Sequence, residues 1–125
     1  MAAIIRSGID IVEIDRLNTS IKRHGEHFLK RVFTAQELAD CGGNVESLSA
    51  RFAAKEAASK ALGCGIGQVS WIEIEVIRNA EHQPELNFHG AAQALAKKLK
   101  LTNWSVSLSH THQNAIAMVI ASVEK

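Results

Sequence analysis

Ala50-Arg51-Phe52-Ala53-Ala54-Lys55-Glu56-Ala57-Ala58-Ser59-Lys60-Ala61-Leu62-Gly63 is the stretch around which this chain is organised. Its six alanines make it a strong helix former, because alanine loses least on entering a helix. Gly63 supplies the stop, and Gly65 and Gly67 make a flexible loop beyond it. At helical spacing Phe52, Glu56, Lys60 and Gly63 fall on one stripe, with Arg51, Lys55 and Ser59 beside it. Small alanines fill much of the remaining surface, so other elements can approach the helix backbone closely. One carboxylate and three cations on such a helix suit a metal and a phosphate. The plainer alternative is a solvated pair, since Glu56 before Lys60 is the favourable i,i+4 order, worth about 0.2–0.5 kcal/mol on any exposed helix.

Toward the amino terminus, Ala3 to Val12 alternates as a strand, with Ile5, Ser7, Ile9 and Ile11 on one face. Ile4, Arg6, Gly8 and Asp10 share the other, and Gly8 leaves room for another backbone or a ligand beside Asp10. Asp10 and Glu13 also make Asp-x-x-Glu, a variant of the helix-start capping box. Cap and metal ligand are both open for Asp10, and one side chain could do both. Glu13 to His24 then reads as a helix with Ile14, Leu17 and Ile21 buried and Gly25 at its end. Arg16, Lys22 and Arg23 sit on its outer side, either as a solvated basic face or as a docking surface for an acidic partner. Thr34-Ala35-Gln36-Glu37 is a capping box opening a further short helix.

Beyond the glycine loop, Trp71 to Ile77 alternates as a half-exposed strand, and Pro84 to Phe88 forms another after a polar turn. Gly90 introduces a helix to about Lys100. Trp104 to Ser109 and Ala115 to Ala121 read as a hairpin, the second strand apolar on both faces. Its turn begins at Ser109-His110-Thr111. Residues 1–125 are thus read as one α+β domain, a mainly antiparallel sheet packed with a long central helix and shorter helices.

The totals agree with this. The chain has 125 residues, 46% of them hydrophobic, enough for a real core. A net charge of +1 argues against nucleic acid as the main partner. No apolar run reaches the ~20 residues of a membrane span, and no signal-peptide pattern opens the chain, so a cytoplasmic location is expected. Cys41 and Cys64 lack metal-type spacing and are read as free thiols.

Three stretches resemble one family. Gly8-Ile9-Asp10-Ile11-Val12-Glu13 looks like the amino-terminal motif of the small 4′-phosphopantetheinyl transferases, the holo-acyl-carrier-protein synthases. Arg51-Phe52-Ala53-Ala54-Lys55-Glu56-Ala57, continued through Gly63 and Gly65-Ile66-Gly67, resembles their central signature. Ser107-Leu108-Ser109-His110-Thr111 resembles the carboxy-terminal one. The resemblance spans nearly the whole chain, departing from the family only in two loops, before Pro84 and at His112-Gln113-Asn114.

What the resemblance implies is transfer of the phosphopantetheine arm of coenzyme A to a serine of an apo acyl carrier protein. It implies Mg²⁺ held by Asp10 and Glu56, with Asp10, Glu56 and Lys60 catalytic. Arg51, Lys55, Ser59, Gly63, Gly65 and Ile66 would contact coenzyme A, with Ser109, His110 and Thr111 reaching in from a neighbouring subunit of a homotrimer. Arg16, Lys22 and Arg23 would dock the carrier protein, and fatty-acid synthesis is the implied pathway. A coenzyme A-binding module without chemistry is the alternative, and the presence of both carboxylates counts against it.

Overall fold

A computed structural model describes residues 5–123, so Ala3 and Ile4 of the expected first strand lie outside the described residues. The elements run β1 (Ile5–Glu13), α1 (Ile14–His24), α2 (Glu26–Val32), α3 (Ala35–Cys41) and α4 (Val45–Leu62). A 3-10 turn (Trp71–Glu73) then leads into β2 (Ile74–Arg78), β3 (Pro84–Phe88), α5 (Gly90–Lys98), β4 (Leu101–His110) and β5 (Asn114–Val123). The α+β class expected from the sequence is correct, with every strand pair antiparallel.

The strands form two sheets, one in the order β1-β5-β4 and one a β2-β3 hairpin. A pair of tilted rings joins them, Phe88 meeting Trp104 with centroids 4.4 Å apart. Helix α4 crosses the inner face of the larger sheet, burying Ala115, Ala117, Val119 and Ala121 of β5 completely. Its start is capped by Asn44, whose side chain accepts from the Ser47 amide at 2.8 Å. Its end is Gly63 in the left-handed region at φ 81°, where a side chain would be strained.

Two expectations are corrected. Asp10 is no helix cap: it lies within β1, and Glu13 occupies the position before α1 without a side-chain cap bond. Trp71 to Glu73 is not strand. Glu73 folds back to accept from the Ser70 amide at 2.8 Å, which tightens the chain into a 3-10 turn and leaves Ile72 exposed.

The contact that fixes α4 on the sheet is a missing side chain. A Cβ built on Gly8 would lie 1.8 Å from the Ala57 carbonyl oxygen and 3.1 Å from the Ala61 nitrogen, so strand and helix backbones touch there. Gly8→Ala therefore overpacks the seam and lowers stability by about 1–3 kcal/mol or more. Denaturant unfolding of the variant measures this, and it loses activity as well if the seam tilts.

Candidate active site

The alternation of β1 turns Gly8 and Asp10 to the same inner face, so the close approach at Gly8 brings Asp10 up against α4. The Lys60 ammonium donates to Asp10 Oδ1 at 3.2 Å and to the Ile9 carbonyl at 2.9 Å. Glu56, one helical turn before Lys60, sits close enough that both charges act on it. Burial raises the Glu56 carboxyl above the ordinary carboxylate range, Asp10 raises it further, and Lys60 pulls it back. Structure thus brings together Asp10, Glu56 and Lys60. Asp10 and Glu56 border a groove of about 470 Å³ walled by Val12, Arg16, Leu17, Phe28 and Phe52.

Two carboxylates without a third metal-type ligand form an open site. Among the described residues no group of three or more His, Cys, Asp or Glu gathers anywhere. That suits Mg²⁺, a hard cation that takes one or two carboxylates, keeps waters and binds substrate phosphates. The donor set fits the ion.

The other residues of the central helix divide. Lys55 is completely buried and donates to Glu37 Oε1 at 2.7 Å, the Trp71 carbonyl at 3.0 Å and the Ile74 carbonyl at 2.7 Å. Three acceptors use all three protons of an ammonium, leaving none for coenzyme A. Burial lowers the Lys55 pKa and Glu37 raises it back. Ser59 is also buried, donating to the Glu56 carbonyl at 2.7 Å. For Lys55 and Ser59 the expected ligand contact gives way to internal bonding. Gly63, Gly65 and Ile66 form the loop leaving α4, where the Cys64 and Gly65 amides donate to the Ser59 carbonyl.

Arg51 is buried, but it lines a second groove of about 580 Å³ with Arg78, His82, Trp104, Ser107 and His110. Its guanidinium donates to the Val76 carbonyl at 3.2 Å and lies 3.8 Å from Asp40. Arg51 and Glu56 point to nearly opposite flanks of α4, so His110 and the Asp10–Glu56 pair occupy different grooves of one chain. Ser109 is on the outer face of β4, opposite Ile116. Thr111 Oγ1 accepts from the Gln113 and Asn114 amides and shapes the hairpin turn.

Sequence reading missed Arg78 and His82, whose place in the larger groove depends on how the β2-β3 turn folds back. It also missed the second use of Glu37, because Lys55 lies 18 positions away and no local pattern links them.

Comparison with known proteins agrees with the motifs. A profile of the 4′-phosphopantetheinyl transferase superfamily matches residues 6–119. The chain belongs to the 4′-phosphopantetheinyl transferase superfamily. A holo-[acyl-carrier-protein] synthase of Herpetosiphon aurantiacus is 48% identical over 121 residues, covering 91% of this chain and 95% of the relative. One of Moorella thermoacetica is 47% identical over 120 residues, covering 94% and 93%. The crystal structure of the Helicobacter pylori holo-[acyl-carrier-protein] synthase, solved in complex with coenzyme A, superposes with a TM-score of 0.85. It is 33% identical and covers 93% of this chain and 99% of its own. The resemblance read from the three motifs holds, and with it the transferase class.

The electrostatics of this superfamily member give a direct test. In metal-free protein Glu56 titrates above the ordinary carboxylate value, so ionising it disfavours the folded state as pH rises through that window. Asp10→Asn moves the Glu56 midpoint down and Lys60→Met moves it up. Carboxyl carbon shifts followed against pH by NMR measure both.

Proposed function

We propose that this chain transfers the 4′-phosphopantetheine group of coenzyme A to a serine of an apo acyl carrier protein. The observation that carries the reading is the meeting of Asp10, Glu56 and Lys60 at the β1–α4 seam. The serine oxygen bonds to the phosphorus bearing the pantetheine arm. The bond from that phosphorus to the bridging oxygen breaks, and adenosine 3′,5′-bisphosphate leaves with the electron pair. Glu56 takes the serine proton, directly or through a water. Lys60 donates to the oxygens on which negative charge develops. Asp10 and Glu56 are the residues that would hold Mg²⁺, and the ion when bound would supply charge neutralisation for the diphosphate oxygens. Fatty-acid synthesis in the cytoplasm is the setting we propose; among the described residues no helix is long and apolar enough to cross a membrane.

Coenzyme A is long, and among the described residues Asp10 and Glu56 line one groove while Arg51 and Arg78 line another. What supports a site shared between copies is the outer face of the β1-β5-β4 sheet. Ile5, Ile9, Ile11, Ile116 and Met118 are exposed there, a contiguous apolar patch of the kind subunits cover. In the homotrimer that we propose, Asp10, Glu56, Lys60 and the Gly63–Ile66 loop of one subunit face Arg51, Ser109, His110 and Thr111 of its neighbour. Arg16, Lys22 and Arg23, all exposed on α1, are the docking face for the acidic carrier protein, and Arg16 stands at the rim of the catalytic groove.

Incubation with coenzyme A, Mg²⁺ and an apo carrier protein adds one phosphopantetheine to the carrier, read by intact mass. Asp10→Ala and Glu56→Ala abolish the transfer, and Lys60→Met lowers kcat by about 10²–10³-fold. Near-native turnover by either carboxylate variant at saturating Mg²⁺ overturns the metal assignment. Mixing Glu56→Ala with His110→Ala protein, after dissociation and reassociation, restores part of the activity. No rescue in verified mixed oligomers refutes the shared site. Reversing the charge of Arg16 and Arg23 raises KM for the carrier protein and leaves KM for coenzyme A unchanged, as steady-state kinetics will show.

A further inference from the structure

The Glu56 carboxylate feels burial, Asp10 and Lys60, but no hydrogen bond from any described residue holds it. Its place opposite Asp10 is therefore set by the helix that carries it. A helix can misplace a side chain by turning about its axis or by sliding along it. Successive residues turn about 100° and rise about 1.5 Å, so Lys55 and Ala57, the two neighbours of Glu56, point about 200° apart. They lie on nearly opposite sides of α4, and both are completely buried.

Each is fixed by a different element. Ala57 meets the β1 backbone at Gly8, where no side chain separates strand from helix. Lys55 is held by Glu37 of α3 and by the carbonyls of Trp71 and Ile74. Glu37 is itself fixed, since Oε1 also accepts from the Thr34 amide at 2.9 Å and Oε2 from the Val76 amide at 2.8 Å. Neither charge of the pair is exposed. A buried ion pair is a weak stabiliser compared with apolar side chains of the same size. Three donors aimed at three fixed acceptors nevertheless anchor the ammonium at one point, and with Lys55 completely buried this opposes rotation of the helix more than packed alanines do.

We infer that Glu37 and Lys55 are positioning residues for the transfer reaction. The pair locks the rotation of α4 against the Gly8 contact and so aims Glu56 at Asp10. The inference rests on the reading of Glu56 as base and metal ligand.

Lys55→Met and Glu37→Gln test it, both assayed well below their melting temperatures and with circular dichroism to establish folding. The expected result is a fall in kcat with little change in KM for coenzyme A. Mn²⁺ binding to the protein–coenzyme A complex, followed by the EPR signal of the free ion, weakens about 10-fold, as when outer partners of a metal ligand are lost. A folded variant with native kcat and native Mn²⁺ affinity, changed only in its melting temperature, overturns the inference. If Lys55→Met does not fold, Glu37→Gln, which keeps the side-chain shape, decides by the same readings. If Asp10→Asn and Glu56→Gln both leave Mn²⁺ affinity unchanged, the metal assignment fails. The kcat of Glu37→Gln then decides alone, a fall supporting the clamp and a native value overturning it.

Discussion

The close approach of β1 to α4 at Gly8 is the constraint on which the rest of the structure depends. A strand and a helix normally keep a layer of side chains between them. Here Gly8 removes the strand's side chain and Ala57 reduces the helix's to a methyl, so the Ala57 carbonyl lies against the strand. Asp10, two residues on, then stands within reach of a side chain one turn further along the helix. A larger residue at position 8 would push the helix away and draw Lys60 off Asp10, now bonded at 3.2 Å. The alanines on the sheet side of α4 serve the same end, for Ala53, Ala54, Ala57, Ala58 and Ala61 are all buried. The helix is chosen for how near it can come, and less for how much apolar area it buries.

Such a helix carries a cost. Small side chains grip weakly, and a smooth alanine face fixes rotation poorly. Polar anchoring supplies what packing does not. Lys55 ties α4 to α3 and to the start of β2, and Arg51 adds a bond to the Val76 carbonyl. Phe52 adds an aromatic contact beside Lys55, stacking on Trp71 with ring centroids 4.5 Å apart. Charges that on a surface helix would be solvated are turned inward, which explains why a helix so rich in charge is so deeply buried.

Local rules made the elements legible. The stop at Gly63, the Thr34–Glu37 capping box and the alternation of β1 each rest on neighbours in sequence, and each is found where those neighbours put it. The role of Gly8 was legible too, because a glycine in an alternating strand signals close approach. What local rules did not carry is the direction of side chains whose partners are distant. Lys55 and Ser59 stand beside Glu56 on a helical wheel and look like ligands, and only the position of Glu37 and the turn at Trp71 shows that Lys55 faces inward. The Trp71–Ile77 alternation misled for a related reason. Glu73 serves Ser70 behind it and the start of α5 ahead of it, accepting from the Ala91 amide at 2.7 Å, and those bonds outweigh its place in the pattern.

The two faces of the β1-β5-β4 sheet explain why the proposed site is divided. The inner face is spent on α4, and the helix is narrow enough to leave a groove on either flank. One flank carries the catalytic trio and the other carries Arg51 and His110. In the site we propose, each flank of one copy would offer one end of a long substrate only half a site. The outer face is apolar along β1 and β5 and lined with Ser105, Ser107 and Ser109 along β4, opposite Ile120, Met118 and Ile116. Isoleucines exposed by more than half, as Ile5, Ile9 and Ile11 are, make this the surface with most to gain from a neighbouring copy. The strands that present it also carry Asp10, within β1, and His110, at the end of β4, so in the proposed trimer the contact that hides the apolar face would bring two half-sites together. Assembly and catalysis would then draw on the same three strands, and a change that weakens one should weaken the other.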